Sequence, residues 1–188
     1  MDNVLRIINC LGKNLEKSFT MNGLSKLAKM PYATFYRTAL KMNDLIIMET
    51  VGKSKIMKLN SKNPIINFYL TISSEEEKKE FLKKQPIIKK IASELETKAV
   101  VMLFGSYAKG SEKDSSDIDL IIINKDGKKS ISFSKYETLF NKKINPLFFT
   151  ENEFIQMIKE KEENVGSQAL KNHIILKNPQ NFWRLIVK

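Results

Sequence analysis

The sequence predicts an α+β chain in two parts: a helical unit with a hairpin over residues 1–74, and a second unit of helices and strands over residues 75–188. Three observations carry this reading. Apolar residues recur at helical spacing through the first forty or so positions. The runs LIIMET and KIMKL flank VGKS, the pattern of strand, glycine-containing turn and strand. Beyond residue 98 the continuous apolar runs VVMLF and LIII have the length and composition of buried strands.

In the first part, Val4, Ile7, Ile8 and Leu11 predict a helix over residues 3–11. KSFTM fits a short strand. Asn22 is the expected N-cap of a second helix, whose apolar face is Leu24, Leu27 and Ala28. Met30-Pro31 stops it, because proline removes an N–H and pushes its predecessor out of the α region. A third helix is expected from Tyr32 to Met42, with Phe35, Ala39 and Met42 on one face, and the hairpin follows. In the second part, Ser74 reads as an N-cap with Glu75, Glu76 and Glu77 in the first turn, where the helix dipole favours acids. That predicts a connecting helix over residues 75–98, kinked or split at Pro86.

Composition limits the chemistry. Apolar residues make up 42% of the 188, enough for a packed core and too many for global disorder. No apolar run approaches the roughly 20 residues of a membrane span, and MDNVLRIINCLGKNLEK lacks the parts of a signal peptide, so a cytoplasmic protein is expected. One histidine and one cysteine cannot build a zinc site. Cys10, on an apolar helical face, reads as a small core residue. A metal, if held, must be held by carboxylates, which points to Mg²⁺ or Mn²⁺. The net charge of +11 is uneven: residues 1–74 carry 11 Lys+Arg against 4 Asp+Glu, and residues 75–188 carry 21 against 17. A basic first part suits a polyanionic partner, although a lysine-rich proteome also produces basic proteins without one.

The stretch LSKLAKMPYATFYRTALKMNDLIIMETVGKSKIMKLN resembles winged-helix DNA-binding domains. The resemblance implies a helix in the major groove presenting Tyr32, Thr34, Tyr36, Arg37 and Lys41, and a wing carrying Lys53 and Lys55. Arginine suits base edges or phosphate, and hydroxyls and lysine suit phosphate. Winged helices also serve as protein-docking or dimerisation modules, and that alternative stays open.

The most informative stretch is GSYAKGSEKDSSDIDLIII, residues 105–123. A strand ending in Gly105-Ser106 at a helix start suits phosphate, since glycine admits close backbone approach and the serine offers a hydroxyl and an N–H. It is not a Walker A loop: Ser111-Glu112 stand where Lys-Ser/Thr is required. Asp117 and Asp119 open the next strand, and residues i and i+2 of a strand share a face. Two adjacent carboxylates repel unless a cation is shared, and Mg²⁺ with nucleotide phosphates supplies one.

The pattern GS-x10-D-x-D resembles the signature of minimal nucleotidyltransferases of the DNA-polymerase-β-like superfamily, over about residues 87–188. The resemblance implies a small domain with a mixed sheet flanked by helices. Gly105 and Ser106 would bind the triphosphate of an NTP, ATP being the expected one, and Lys109 would assist unless it is a solvated surface lysine. Asp117 and Asp119 would be catalytic and hold the metal. The reaction implied moves an NMP to a protein or RNA hydroxyl. A helical partner of the toxin–antitoxin kind and a homodimer are compatible with it.

One position departs from the family pattern. The third carboxylate belongs on the next strand, KINPLFF, where this chain has Asn145 followed by Pro146. Asparagine is a poor ligand for a divalent ion beside aspartate and no base near neutral pH. Either two aspartates and the substrate phosphates suffice, or the site binds nucleotide with slow or no turnover. The second case describes a DNA-binding regulator or antitoxin-like protein with a degenerate nucleotide sensor or docking module. Pro146 predicts an edge strand or a bulge. Thr150 and Glu153 form an expected capping box, which explains Glu153 better than catalysis does. Asp114 and Asp126 read as solvated loop residues, His173 as a helix-end packing residue, and Trp183 as core.

Overall fold

The computed structural model describes residues 1–52, 54–160 and 162–187. The chain divides into two compact units, Met1–Glu76 with Val187–Lys188, and Glu77–Ile186. No described helix is long and apolar enough to cross a membrane.

The first unit runs α1 (Asn3–Gly12), β1 (Phe19–Thr20), α2 (Met21–Leu27), α3 (Tyr32–Ala39), β2 (Ile46–Val51), β3 (Ser54–Leu59) and the first part of α4 (Ile66–Leu82). Ile7, Ile8 and Leu11 of α1, Leu24 of α2 and Phe35 and Ala39 of α3 are fully buried, the faces their spacing requires. The described strands of this unit form an antiparallel sheet in the order β1-β3-β2. The N-cap of α2 is Thr20, whose hydroxyl accepts from Gly23 N at 3.0 Å, and not the expected Asn22. Burial of Met21 explains the shift, because the helix must start earlier to bring that side chain inside. Helix α2 closes at Lys29, in the left-handed region at φ 51°, with Met30 N donating to Ser25 O; the stop precedes Pro31. Helix α3 ends at Ala39, short of Met42. Cys10 is half-buried, not a core residue.

The connecting segment departs furthest from expectation. Helix α4 starts at Ile66 and passes straight through Ser74, so Ser74 caps nothing. Asn63, three residues before the helix, accepts from Ile65 N at 3.1 Å in the turn that leads into it. Ile66, Leu70, Ser73 and Ser74 are buried at helical spacing. The two serines are small interior residues, and Ser73 satisfies its hydroxyl on Leu70 O at 2.9 Å. The split expected at Pro86 is present: α4 ends at Leu82, and α5 (Pro86–Glu94) begins with Pro86 at the first helical position, where its missing N–H costs nothing.

The second unit continues with β4 (Val100–Phe104), α6 (Gly105–Lys109), β5 (Ile118–Asn124), α7 (Ser134–Phe140), β6 (Ile144–Thr150), α8 (Glu151–Lys159), α9 (Val165–Lys171), β7 (Ile174–Lys177) and α10 (Pro179–Ile186). Its described strands make a mixed sheet in the order β6-β5-β4-β7. The β5/β6 pair is parallel; β4 is antiparallel to both β5 and β7. Alternate residues feed two cores. Val101, Leu103, Ile118, Leu120, Ile122 and Leu176 pack with Ile88 and Ile91 of α5 and Tyr136 of α7. Met102, Ile121 and Ile175 are buried on the other face, where Phe154 of α8 and Phe182 and Trp183 of α10 are fully buried and meet edge to face or tilted. Helices on both faces leave the strand ends as the places for chemistry. Strand β6 lies at the sheet edge, as Pro146 requires.

Candidate active site

The site forms where β4 ends and β5 begins. Phe104, the last residue of β4, pairs with Asp119. The chain then enters α6 through Gly105, at φ 71°. A Cβ on Gly105 would lie 2.3 Å from Oδ2 of Asp119, so both the backbone angle and the neighbouring carboxylate demand glycine. Ser106 follows on the first turn of α6. Its carbonyl accepts from Ser111 N at 3.0 Å, folding the loop back toward β5.

Asp117 and Asp119 are half-buried on one face of the strand, with Ile118 fully buried on the other. Strand β6 runs beside them with Asp119 opposite Asn145. The Asn145 Nδ2 donates to Asp117 Oδ2 and to Asp119 Oδ1, each at 3.2 Å. One amide thus bridges two like charges that would otherwise repel. Lys143, two residues earlier, places Nζ 3.6 Å from Asp117 Oδ2, and its carbonyl accepts from Ile118 N at 2.9 Å. Lys143-x-Asn145 therefore faces Asp117-x-Asp119 across one parallel pair. Reading the sequence missed Lys143. Lys143 lies just before β6, and its place beside Asp117 follows from which strand pairs with β5, which the sequence alone does not display.

Of the expected site residues, Gly105, Ser106, Asp117 and Asp119 come together here, and Lys109 is exposed at the far end of α6. Tyr107 is buried; that burial first, then the Glu112 and Asp114 carboxylates, push its phenol up, so it keeps its proton and supplies no base. Among the described residues no group of three or more His, Cys, Asp or Glu could hold a metal ion. Two aspartates and an amide that can turn its oxygen inward still fit one Mg²⁺ or Mn²⁺ whose remaining ligands are water and phosphate oxygen.

At the opposite end of the same strands opens a cleft of about 620 Å³, lined in part by Lys98, Val100, Ile123, Lys125, Thr150 and Glu151. Glu151 is the only carboxylate in its lining among the described residues. The nearby Glu153 is taken up by α8: Thr150 N and hydroxyl donate to its Oε2 at 2.7 and 2.9 Å, which holds its carboxyl below the usual range. The capping box is present as expected. His173 is buried against Phe182 and Trp183, with Nδ1 3.0 Å from Leu170 O. Asp114 and Asp126 are exposed.

In the first unit, Tyr32, Thr34, Tyr36 and Arg37 on α3, Lys41 just beyond it and Lys55 on β3 are all exposed. Lys53 lies outside the described residues.

The mixed sheet, the Gly-Ser turn and the two same-face aspartates at its end belong to a small α+β domain with helices on both faces. The model of the family described as Polymerase beta, Nucleotidyltransferase matches residues 86–181, just over half of the chain, and the chain belongs to that family. No match was found among the curated proteins or the solved structures.

Proposed function

We propose that the chain is a Mg²⁺-dependent nucleotidyltransferase acting on an NTP, ATP first among them, in the cytoplasm. The observation that carries this is the contact of the Asp119 carboxylate with Gly105 at the Gly-Ser turn, inside the segment matched by the family. Gly105 and Ser106 receive the triphosphate, with Lys109 at the rim. Asp117 and Asp119 hold the ion, with Mn²⁺ as its substitute. When bound, the ion supplies Lewis-acid neutralisation of charge on the phosphates. The acceptor oxygen bonds to the α-phosphorus, the bond from that phosphorus to the bridging oxygen breaks, pyrophosphate leaves, and the acceptor proton passes to water. The acceptor is a protein hydroxyl or an RNA end. Incubation with each labelled NTP, Mg²⁺ and cell lysate as acceptor source tests this. Label transferred by wild type and lost in Asp117→Asn supports it; no transfer from any NTP overturns it.

The first unit supports a DNA-binding winged helix. The buried face of α3 leaves one exposed stripe of Tyr32 and Tyr36, rings 6.2 Å apart, and another of Thr34, Arg37 and Lys41. Lys55 and Lys53 would belong to the wing. Gel shifts over several salt concentrations test it: Lys55→Ala should make the salt slope shallower by about 0.9 if it neutralises one phosphate. Ile65, Phe68 and Ile72, exposed at helical spacing, favour a helical protein partner or a second copy along α4.

Asn145 and Lys143 favour a second reading. Both lower the negative charge available to a cation, as a regulator that senses nucleotide without turnover would require.

A further inference from the structure

Resting on the nucleotidyltransferase reading, we infer that Lys143 is a nucleotide-binding residue of this site, and that together with Asn145 it restricts the site to a single divalent ion. Three observations meet here. The parallel register places Asn145 beside Asp119, and just before the two strands Lys143 meets Asp117, so the four side chains gather at one end of one strand pair. Lys143, just before β6, and Asn145, on it, each contribute a donor where a cation site needs acceptors. The ammonium lies 3.6 Å from Asp117 Oδ2, and the amide meets both carboxylates at 3.2 Å.

Charge then decides the stoichiometry. Two aspartates and one lysine leave the protein a single net negative charge in the site. Among the described residues there is no cluster of three acids to offset a second divalent ion. Like charges a few ångströms apart repel, so the ammonium and a second ion compete for the same space. The lysine side chain is 68% exposed, and its pairing with Asp117 is a loose surface contact. It is free to swing from Asp117 to a phosphate oxygen once a nucleotide arrives and an ion takes Asp117. Lysine suits this work because its ammonium binds phosphate as a mobile point charge.

The test uses the full chain with Mn²⁺ and an NTP analogue whose α,β bridge is methylene, so that nothing turns over. Bound Mn²⁺ is counted by electron paramagnetic resonance and nucleotide affinity is measured by calorimetry. Wild type should hold one Mn²⁺ per chain with nucleotide present. Lys143→Met should weaken nucleotide binding by about ten-fold or more while Mn²⁺ alone binds no worse, and Lys143→Arg should restore most of the affinity. The double variant Lys143→Met/Asn145→Asp should take up a second Mn²⁺. Two Mn²⁺ in wild type, unchanged nucleotide affinity in Lys143→Met, or one Mn²⁺ in the double variant would each overturn the inference and leave the transferase reading standing. Wild type that binds neither Mn²⁺ nor the analogue would remove that reading, and this inference with it. Circular dichroism on each variant separates loss of binding from loss of fold.

Discussion

The two ends of the four-stranded sheet hold carboxylates under opposite constraints. At one end Glu153 is spent on α8, accepting from the N–H and hydroxyl of Thr150. At the other, Asp117 and Asp119 share one asparagine amide and a loose lysine, and a glycine is kept bare to make room for Asp119. The first arrangement satisfies an acid with structure. The second leaves two acids half-buried, side by side and short of cationic partners. The cleft of about 620 Å³ lies at the first end. The cleft and the paired aspartates therefore lie at different ends, and unspent charge at a close backbone approach is the better guide to function.

The largest effect expected from sharpening this contrast comes at Gly105. Gly105→Ala adds the left-handed penalty of about 1–2 kcal/mol and drives a Cβ to 2.3 Å from Asp119 Oδ2. Gly110→Ala is the control: Gly110 has nearly the same angle, φ 67°, and nothing within 4 Å of the added carbon. Both variants should lose stability in thermal melts, Gly105→Ala at least as much as Gly110→Ala because it also displaces Asp119. Gly105→Ala alone should lose Mg²⁺-dependent nucleotide binding, by roughly ten-fold or more. Equal binding by the two would mean that the approach of Asp119 to Gly105 is unimportant.

Asn145→Asp comes next. It replaces two donated hydrogen bonds with a third like charge, so without metal the melt should fall by about 1–3 kcal/mol. Mg²⁺ should return that stability, and turnover should rise about ten-fold, corresponding to ~1.4 kcal/mol of barrier. A melt indifferent to Mg²⁺ would indicate that residue 145 does not face the ion.

At the other end of the sheet, Thr150→Ala should cost about 1 kcal/mol of stability through the lost cap and leave nucleotide affinity untouched. A change in affinity would mean that the two ends are coupled and that the cap contributes to the site. The smallest effect belongs to Glu94, whose carboxyl is lowered from 4.5 to about 2, chiefly by Lys90 and then by Lys135. A depressed carboxyl stabilises the fold above its unfolded value. Its contribution should be complete above about pH 4.5 and fade as pH falls toward 2. Glu94→Gln should flatten the acid limb of the stability curve in that window, lower stability slightly at neutral pH, where the exposed ion pairs are made, and change nothing below about pH 2.

Much of this was legible in the sequence because it is local. Apolar runs marked β4 and β5, Pro86 marked the start of α5, and Thr150 with Glu153 marked the capping box. The aspartate pair followed from the period of a strand. What failed was decided by burial. Ser74 before three glutamates has every local feature of a helix start, yet Ser73 and Ser74 are interior positions of a helix begun at Ile66. Thr20 displaced Asn22 because Met21 had to go inside. Lys143 was passed over because its significance lies in register with a neighbouring strand, which no single segment displays.

The central claim is that Asp117 and Asp119 form a metal-dependent nucleotide site, and calorimetric titration with ATP and Mg²⁺ tests it most directly. Wild type should bind ATP far more tightly with Mg²⁺ than without it. Asp117→Asn and Asp119→Asn should each abolish the Mg²⁺-dependent part, since each removes one charge from a site that has only two. Binding by both variants at wild-type strength, with the same dependence on Mg²⁺, would contradict the claim.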